Sequence, residues 1–339
     1  MNRTLRLATL ATVAVVSLAV AGNAFATQQL FVSQTSSALT FKAQQAQGDQ
    51  QPAHITIDVP TGYQITTGQA VGTKIGTTTG DVFARDVGIP LPFTGDVIVA
   101  DSSHPPLFAA LCGPGPYLAI WNLHIVIGGA ATSDLYFNVK KGAGAVAYTL
   151  ETCLGPSDTP PGSPGRSPSG AQLLDATLTL NNVFTTIASP AAWTSFWTPY
   201  ATGTGVPNVA GTVEARAFVG DGAVSLKAKV LNKKKKIVRI SGVVTQAGVG
   251  GVNAATVKLL INSKTSRFSK LSGANGAFAF GLQNTAKKVT TTFFQVVATA
   301  IARDVTATGC ANPTAPPIPC VSATANGFTA RSTKVKVKV

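Results

Sequence analysis

Acid–base chemistry needs titratable side chains brought together. This sequence offers three histidines, His54, His104 and His124, and thirteen Asp or Glu, twelve of them before residue 233. Only the segment ADSSHPPL gathers acid, nucleophile and base types, as Asp101, Ser102, Ser103 and His104. A catalytic triad is assembled in space rather than along the chain, and no GxSxG elbow accompanies these residues. A turn whose Asp caps its own backbone ahead of a proline pair is the better account of them. His54 and His124 fall inside alternating strand patterns, on the face that looks to solvent. HExxH, phosphate-loop and dinucleotide fingerprints do not occur. The sequence therefore gives no catalytic residue, no metal-ligand set and no cofactor.

Cysteine is the other reactive side chain, present at Cys112, Cys153, Cys310 and Cys320. Metal ligation would need a CxxC or Cys/His cluster, and neither is present. In an exported chain four cysteines make two disulfides in one of three connectivities. Cys112–Cys153 with Cys310–Cys320 is expected, because each pair then stays within one domain and the second closes the proline-rich ANPTAPPIP segment. Chain-entropy reasoning gives these loops roughly 4 and 3 kcal/mol.

Two further clusters point to binding. SPAAWTSFWTPY brings Trp193, Phe196, Trp197 and Tyr200 together, and such rings stack on sugars when exposed or fill a core when buried. Charge is uneven: residues 27–232 carry 9 Lys and Arg against 12 Asp and Glu, whereas residues 233–339 carry 16 against the single acid Asp304. The positive field belongs to the run Lys233, Lys234, Lys235 and Lys236 and the region after it, ending in Lys334, Lys336 and Lys338 alternating with valines. An anionic cell-wall polymer or an acidic lipid surface fits that field, and a carbohydrate would be met by the aromatic cluster. Nucleic acid is disfavoured, since interleaved aromatics and a known reading module are missing. The lysine–valine alternation is also what a charge-protected edge strand looks like.

The elements that must position these residues are strands. Short alternating runs recur at AHITIDV, GDVIVA, YLAIWNLHIVI, DLYFNVK, AVAYTL, LLDATLTL, TVEARAFV and AVSLKAKV, separated by Gly, Pro, Asn and Thr breaks, and helical periodicity is nearly absent. Residues 155–170, GPSDTPPGSPGRSPSG, cannot enter a ladder and read as a long loop within one domain. Later in the chain come IVRISGVVTQAG, GGVNAATVKLLI and RFSKLSGANGAFAFGL. The spacing of SGVVT, ATVKLL and GANGAFAF resembles the carboxypeptidase regulatory-like or transthyretin-like (Cna-B-type) β-sandwich modules of secreted bacterial proteins, over about a third of the chain. That resemblance implies a spacer or binding support. Relatives that cross-link Lys to Asn use a buried acid, but residues 237–339 hold no Glu and only Asp304, so no isopeptide bond is implied. The turn that often reads D-x-x-G is here Gly273-Ala274-Asn275-Gly276, without an acidic Ca²⁺ ligand.

The amino terminus has Arg3 and Arg6, an apolar stretch from Leu7 to Val20 and the small-x-small triplet Ala24-Phe25-Ala26, a secretory signal pattern. No later apolar stretch reaches spanning length, so no integral membrane segment is expected after cleavage. The expected architecture is all-β, with two antiparallel β-sandwich domains of immunoglobulin-like or jelly-roll-like type. The divisions are a signal peptide at 1–26, a first domain at 27–232, a basic linker at 233–236 and the regulatory-like module at 237–339. The expected function is an exported, non-catalytic structural or adhesive binding protein of the bacterial cell exterior. The alternative is a carbohydrate-directed protein using the aromatic cluster.

Overall fold

The computed structural model describes residues 27–105, 112–185, 190–283, 291–310 and 318–338; residues 1–26, read as a signal peptide, lie outside them. The chain is all-β, and period-two patterning sets it. In the strand Pro52–Pro60, Ile55, Ile57 and Val59 face inward while His54, Thr56 and Asp58 face out.

Thirteen strands form one continuous sheet. It runs Gln29–Gln34, Ala38–Gln44, Ala171–Asn181, Lys74–Ala84, Ile89–Ala100, Ala119–Ile127, Ala131–Lys141, Val146–Cys153, Pro52–Pro60, Ala191–Pro199, Val213–Val219, Cys320–Ala325 and Arg303–Asp304. Every neighbouring pair is antiparallel except Val213–Val219 with Cys320–Ala325, which is parallel. The sheet folds over on itself, so its two halves face each other across one core: Phe41 on the second strand meets Trp193 on the tenth with ring centroids 5.1 Å apart. The first strand packs back against Val213–Val219 and Cys320–Ala325. Side-chain hydroxyls complete that seam, Ser322 Oγ donating to the Gln28 carbonyl at 2.5 Å and Thr324 Oγ1 to the Leu30 carbonyl.

A smaller sandwich has its own core around Ile240, Val244, Val257, Leu259 and Val296. One layer holds Gly222–Val224, Lys227–Asn232, Ile237–Gln246 and Ala277–Gln283; the other holds Lys264–Leu271, Thr256–Ile261, Thr291–Ala300, Phe328–Arg331 and Val335–Lys338.

The domain limits expected from the sequence require correction. The lysines at 233–236 are not a linker: they turn the hairpin between Lys227–Asn232 and Ile237–Gln246, with Asn232 Oδ1 accepting from the Lys235 amide at 2.8 Å. Nor does the second unit comprise all of 237–339, because Arg303–Asp304 and Cys320–Ala325 belong to the large sheet. The chain therefore passes between the two cores three times, near residues 220–222, 301–303 and 326–328. Among the described residues the units are 27–220 with 301–326, and 221–300 with 327–338.

Those crossings meet at one buried amide. Gln246 is 2% exposed. Its Nε2 points at the Gly220 carbonyl at 3.0 Å, the Asn326 carbonyl at 3.0 Å and Asn326 Oδ1 at 2.8 Å, while its Oε1 accepts from Arg303 Nη2 at 2.5 Å. Asn326 Oδ1 also accepts from the Gly220 amide at 2.8 Å. The approach there excludes side chains: a Cβ on Gly220 would lie 2.2 Å from the Ala247 carbonyl, and one on Gly222 would lie 1.8 Å from the Phe328 ring.

Removing the Gln246 amide strands several buried groups at once, each unmade bond costing about 1–3 kcal/mol. Because all three tryptophans lie in the large unit, their fluorescence follows that unit alone, whereas far-UV circular dichroism follows both. Wild type should unfold in urea with the two probes coincident. Gln246→Ala should lose about 2–3 kcal/mol and separate the two curves; coincident curves at an unchanged midpoint would refute this account of the junction.

Candidate functional site

Both expected disulfides form, with Cα atoms 5.5 Å apart for Cys112–Cys153 and 5.6 Å for Cys310–Cys320. The second staples the return of the chain into the large sheet, not the small sandwich as expected from the sequence. His54 pairs in register with Cys153, and its ring nitrogen and the two sulfurs of Cys112 and Cys153 lie within 4.8 Å of one another. With the sulfurs bonded to each other neither is a thiolate ligand. Burial holds the His54 pKa below its ordinary value; Glu151 opposes that shift and Lys140 adds to it.

The aromatic cluster does not form the exposed stacking surface considered from the sequence. Ala191–Pro199 is a strand, so Trp193, Ser195 and Trp197 point the same way, inward. Trp193 is fully buried and Trp197 is 1% exposed. Trp193 sits edge-on to Phe41, Tyr63 and Phe184, and Trp197 Nε1 donates to Ser195 Oγ at 2.9 Å. Tyr200 is buried as well, donating to the Leu154 carbonyl at 2.6 Å. Phe196 alone faces the other side, half-buried. Stacking on sugar needs an open ring face, and these tryptophans are core residues.

The Asp101–His104 segment is a capped turn. Asp101 Oδ1 accepts from the Ser103 amide at 2.9 Å, Ser103 Oγ at 2.6 Å and the His104 amide at 3.3 Å. The Ser103 bonds first, then those from His104, draw the Asp101 pKa down to about 2. The Ser103 hydroxyl thus donates to the acid, and the histidine is solvent-exposed.

One polar row crosses the outer face of the sheet in register: Thr40, Thr179, Thr77, Asp96, His124 and Asp134. His124 Nδ1 lies 2.8 Å from Asp134 Oδ1, and Lys74 lies 2.7 Å from Asp96. Asp96 and Asp134 are two strand spacings apart, about 10 Å, on an open surface. Paired carboxylates act as acid and base when a cleft holds substrate between them, whereas the described residues form only a shallow, open depression beside Thr77, Asp96 and His124.

The lysines do come together. Lys227–Asn232 packs against Val335–Lys338, which places the 233–236 hairpin and the last strand on neighbouring parts of one sandwich. Lys227, Lys229, Lys233, Lys234, Lys235, Lys334, Lys336 and Lys338 are all exposed, and Lys236, with positive φ, closes the turn half-buried. Redrawing the units sharpens the polarity. Residues 221–300 with 327–339 carry 17 Lys and Arg against the single acid Asp221, formally +16; residues 27–220 with 301–326 carry 8 against 12, formally −4.

No family model matches this sequence, and no curated protein does so. Among solved structures, one described as a tetra-tandem repeat in the extending region of a large adhesion protein aligns over 93% of this chain and 74% of that chain, at 12% identity and a TM-score of 0.24. A likeness at that level decides nothing about this chain's activity.

His54 yields a pH test. Its folded pKa lies below the unfolded value of 6.5, so the unfolded chain binds more protons as the solution acidifies; stability is complete above about pH 6.5 and declines as pH falls below it. The melting temperature should drop between pH 8 and pH 5.5, and His54→Gln should flatten that drop. An identical pH profile in the variant, followed by calorimetry, would remove His54 as its source.

Proposed function

We infer that this is an exported, non-catalytic structural or adhesive binding protein of the cell exterior whose small sandwich holds an anionic polymer. The observation that carries the reading is the segregation of charge, +16 formally on one unit and −4 on the other, with the excess displayed by exposed lysines on a hairpin tip and an adjoining strand. A lysine array of this kind attracts phosphate- or sulfate-bearing polymers without reading their sequence, because counterion release supplies the affinity. Two disulfides fit an oxidising compartment. Among the described residues no helix is long and apolar enough to cross a membrane. The buried tryptophans speak against sugar stacking as the means of attachment, and the open His124–Asp134 face against hydrolysis.

Retention on immobilised heparin or a teichoic-acid-type polyphosphate tests this. Affinity should fall linearly in log–log form with salt. Replacing Lys233, Lys234, Lys235 and Lys236 by Ser should weaken binding about tenfold near 0.1 M salt and lower the slope by roughly one for each phosphate no longer neutralised. Retention indifferent to salt and to the four substitutions would leave the lysines as a solubility device.

A further inference from the structure

The wall of the large sheet has a tear. Strand Ala131–Lys141 is paired from Ala131 to Val139 with Ala119–Ile127 on one side. On the other side the ladder to Val146–Cys153 starts only at Asn138 opposite Glu151. Among the described residues, no strand pairs with 131–137 there.

Hydrogen-bond alternation tells which main-chain groups are left over. The Gly128 amide donates to the Pro92 carbonyl at 2.8 Å, so Gly128 is bonded toward Ile89–Ala100. In an antiparallel ladder alternate residues bond to opposite neighbours. Ile127, Ile125 and Leu123 therefore bond toward their partners Ala131, Ser133 and Leu135. Thr132, Asp134 and Tyr136 are left with N–H and C=O groups aimed away, into a cleft of about 630 Å³ that these three residues line. Its floor includes Phe93, Ile125 and Leu173. The opposite wall is made by 153–155 and 165–168. Arg166, paired to both carboxylate oxygens of Asp86 at 2.9 and 2.5 Å, holds that strap.

We propose that this cleft binds an extended peptide segment of another polypeptide by β-strand addition to Thr132, Asp134 and Tyr136. Three donors and three acceptors repeat at about 6.8 Å, the two-residue period of a strand, which a peptide backbone matches and a lipid-like molecule does not. Main-chain bonds supply affinity in this mode, and alternate side chains supply selectivity. Residues of the incoming strand that point inward meet Phe93 and Leu173 and must be apolar. Those pointing outward lie beside Asp134 and favour Lys or Arg. The edge has neither proline nor bulge to repel such a strand. The inference is independent of the lysine surface of the other unit.

The probe is a fluorescein-labelled hexapeptide of alternating valine and lysine, followed by anisotropy on the full chain. Two N-methylated versions, each methylated at alternate residues in one phase, report the backbone directly. One phase should lose binding at least tenfold and the other should keep it. On the protein, Tyr136→Pro removes an N–H that no described residue accepts from; it should leave the melting curve in place and weaken the unmodified peptide about tenfold. The proposal is overturned if both methylated phases bind alike, if the peptide does not bind, or if a folded Tyr136→Pro protein binds as wild type does. It is overturned equally if a dodecyl-chain amphiphile occupies the cleft while the peptide does not compete.

Discussion

The Gln246 amide is the group on which the two units depend as one body. A neutral amide is suited to the position because it must donate to backbone carbonyls while accepting from the Arg303 guanidinium. Burial disfavours the charged guanidinium and pulls the Arg303 pKa down, and the Gln246 carbonyl offsets part of that cost. Asn326, where the chain leaves the large sheet for the last time, joins the same network through its side chain and its main chain. A linker would let two sandwiches move independently. Three crossings tied to one buried network oppose that, since no crossing can shift without leaving a polar group unpaired.

The seam of the large sheet depends on the same interleaving. Cys320–Ala325 reaches its place only after the chain has built most of the small sandwich, and it then lies parallel to Val213–Val219. Parallel pairing across that many residues carries a large loop-closure cost. The Cys310–Cys320 disulfide closes only the short segment just before the returning strand, and the Ser322 and Thr324 hydroxyls fasten that strand to the first one. The acidic and basic units are thus fixed at one relative position, and the lysine surface is carried on a rigid base.

Much of this architecture is legible in the sequence. The runs AHITIDV, YLAIWNLHIVI, DLYFNVK and TVEARAFV fall in strands because alternation encodes one buried face. The cysteines pair as expected, although both pairs belong to the large unit and so not for the domain-by-domain reason that suggested them. The unit boundaries escape such a reading for a physical reason: the charge break near residue 231 coincides with a hairpin turn, where lysines are tolerated because they are solvated, and not with a gap between cores. AVSLKAKV reads as one strand but divides into Gly222–Val224 and Lys227–Asn232, which pair with different parts of Ile237–Gln246. Strand Lys74–Ala84 is hidden by its Gly and Thr content. The burial of Trp193 and Trp197 does have a signal, the two-residue step from Trp193 through Ser195 to Trp197, which composition alone obscures.

The tear at Thr132–Tyr136 cannot be read locally, since it depends on where a neighbouring strand stops. Val146–Cys153 stays with Pro52–Pro60 as far as His54 opposite Cys153, and the Cys112 disulfide fixes its end there. The next stretch of chain holds five prolines between 156 and 168, which cannot donate to a ladder, so the chain swings outward as a strap. Arg166 on Asp86, together with Ser167 Oγ on the Ala171 carbonyl at 2.8 Å, anchors the strap at its far end. The opening is therefore set by the path of the chain: continuing the register would put Cys153, Gly155 and Ser157 opposite Tyr136, Asp134 and Thr132, but Cys153 is held by its disulfide, the Leu154 amide stays with the Ala53 carbonyl, and the proline-rich strap beyond swings outward.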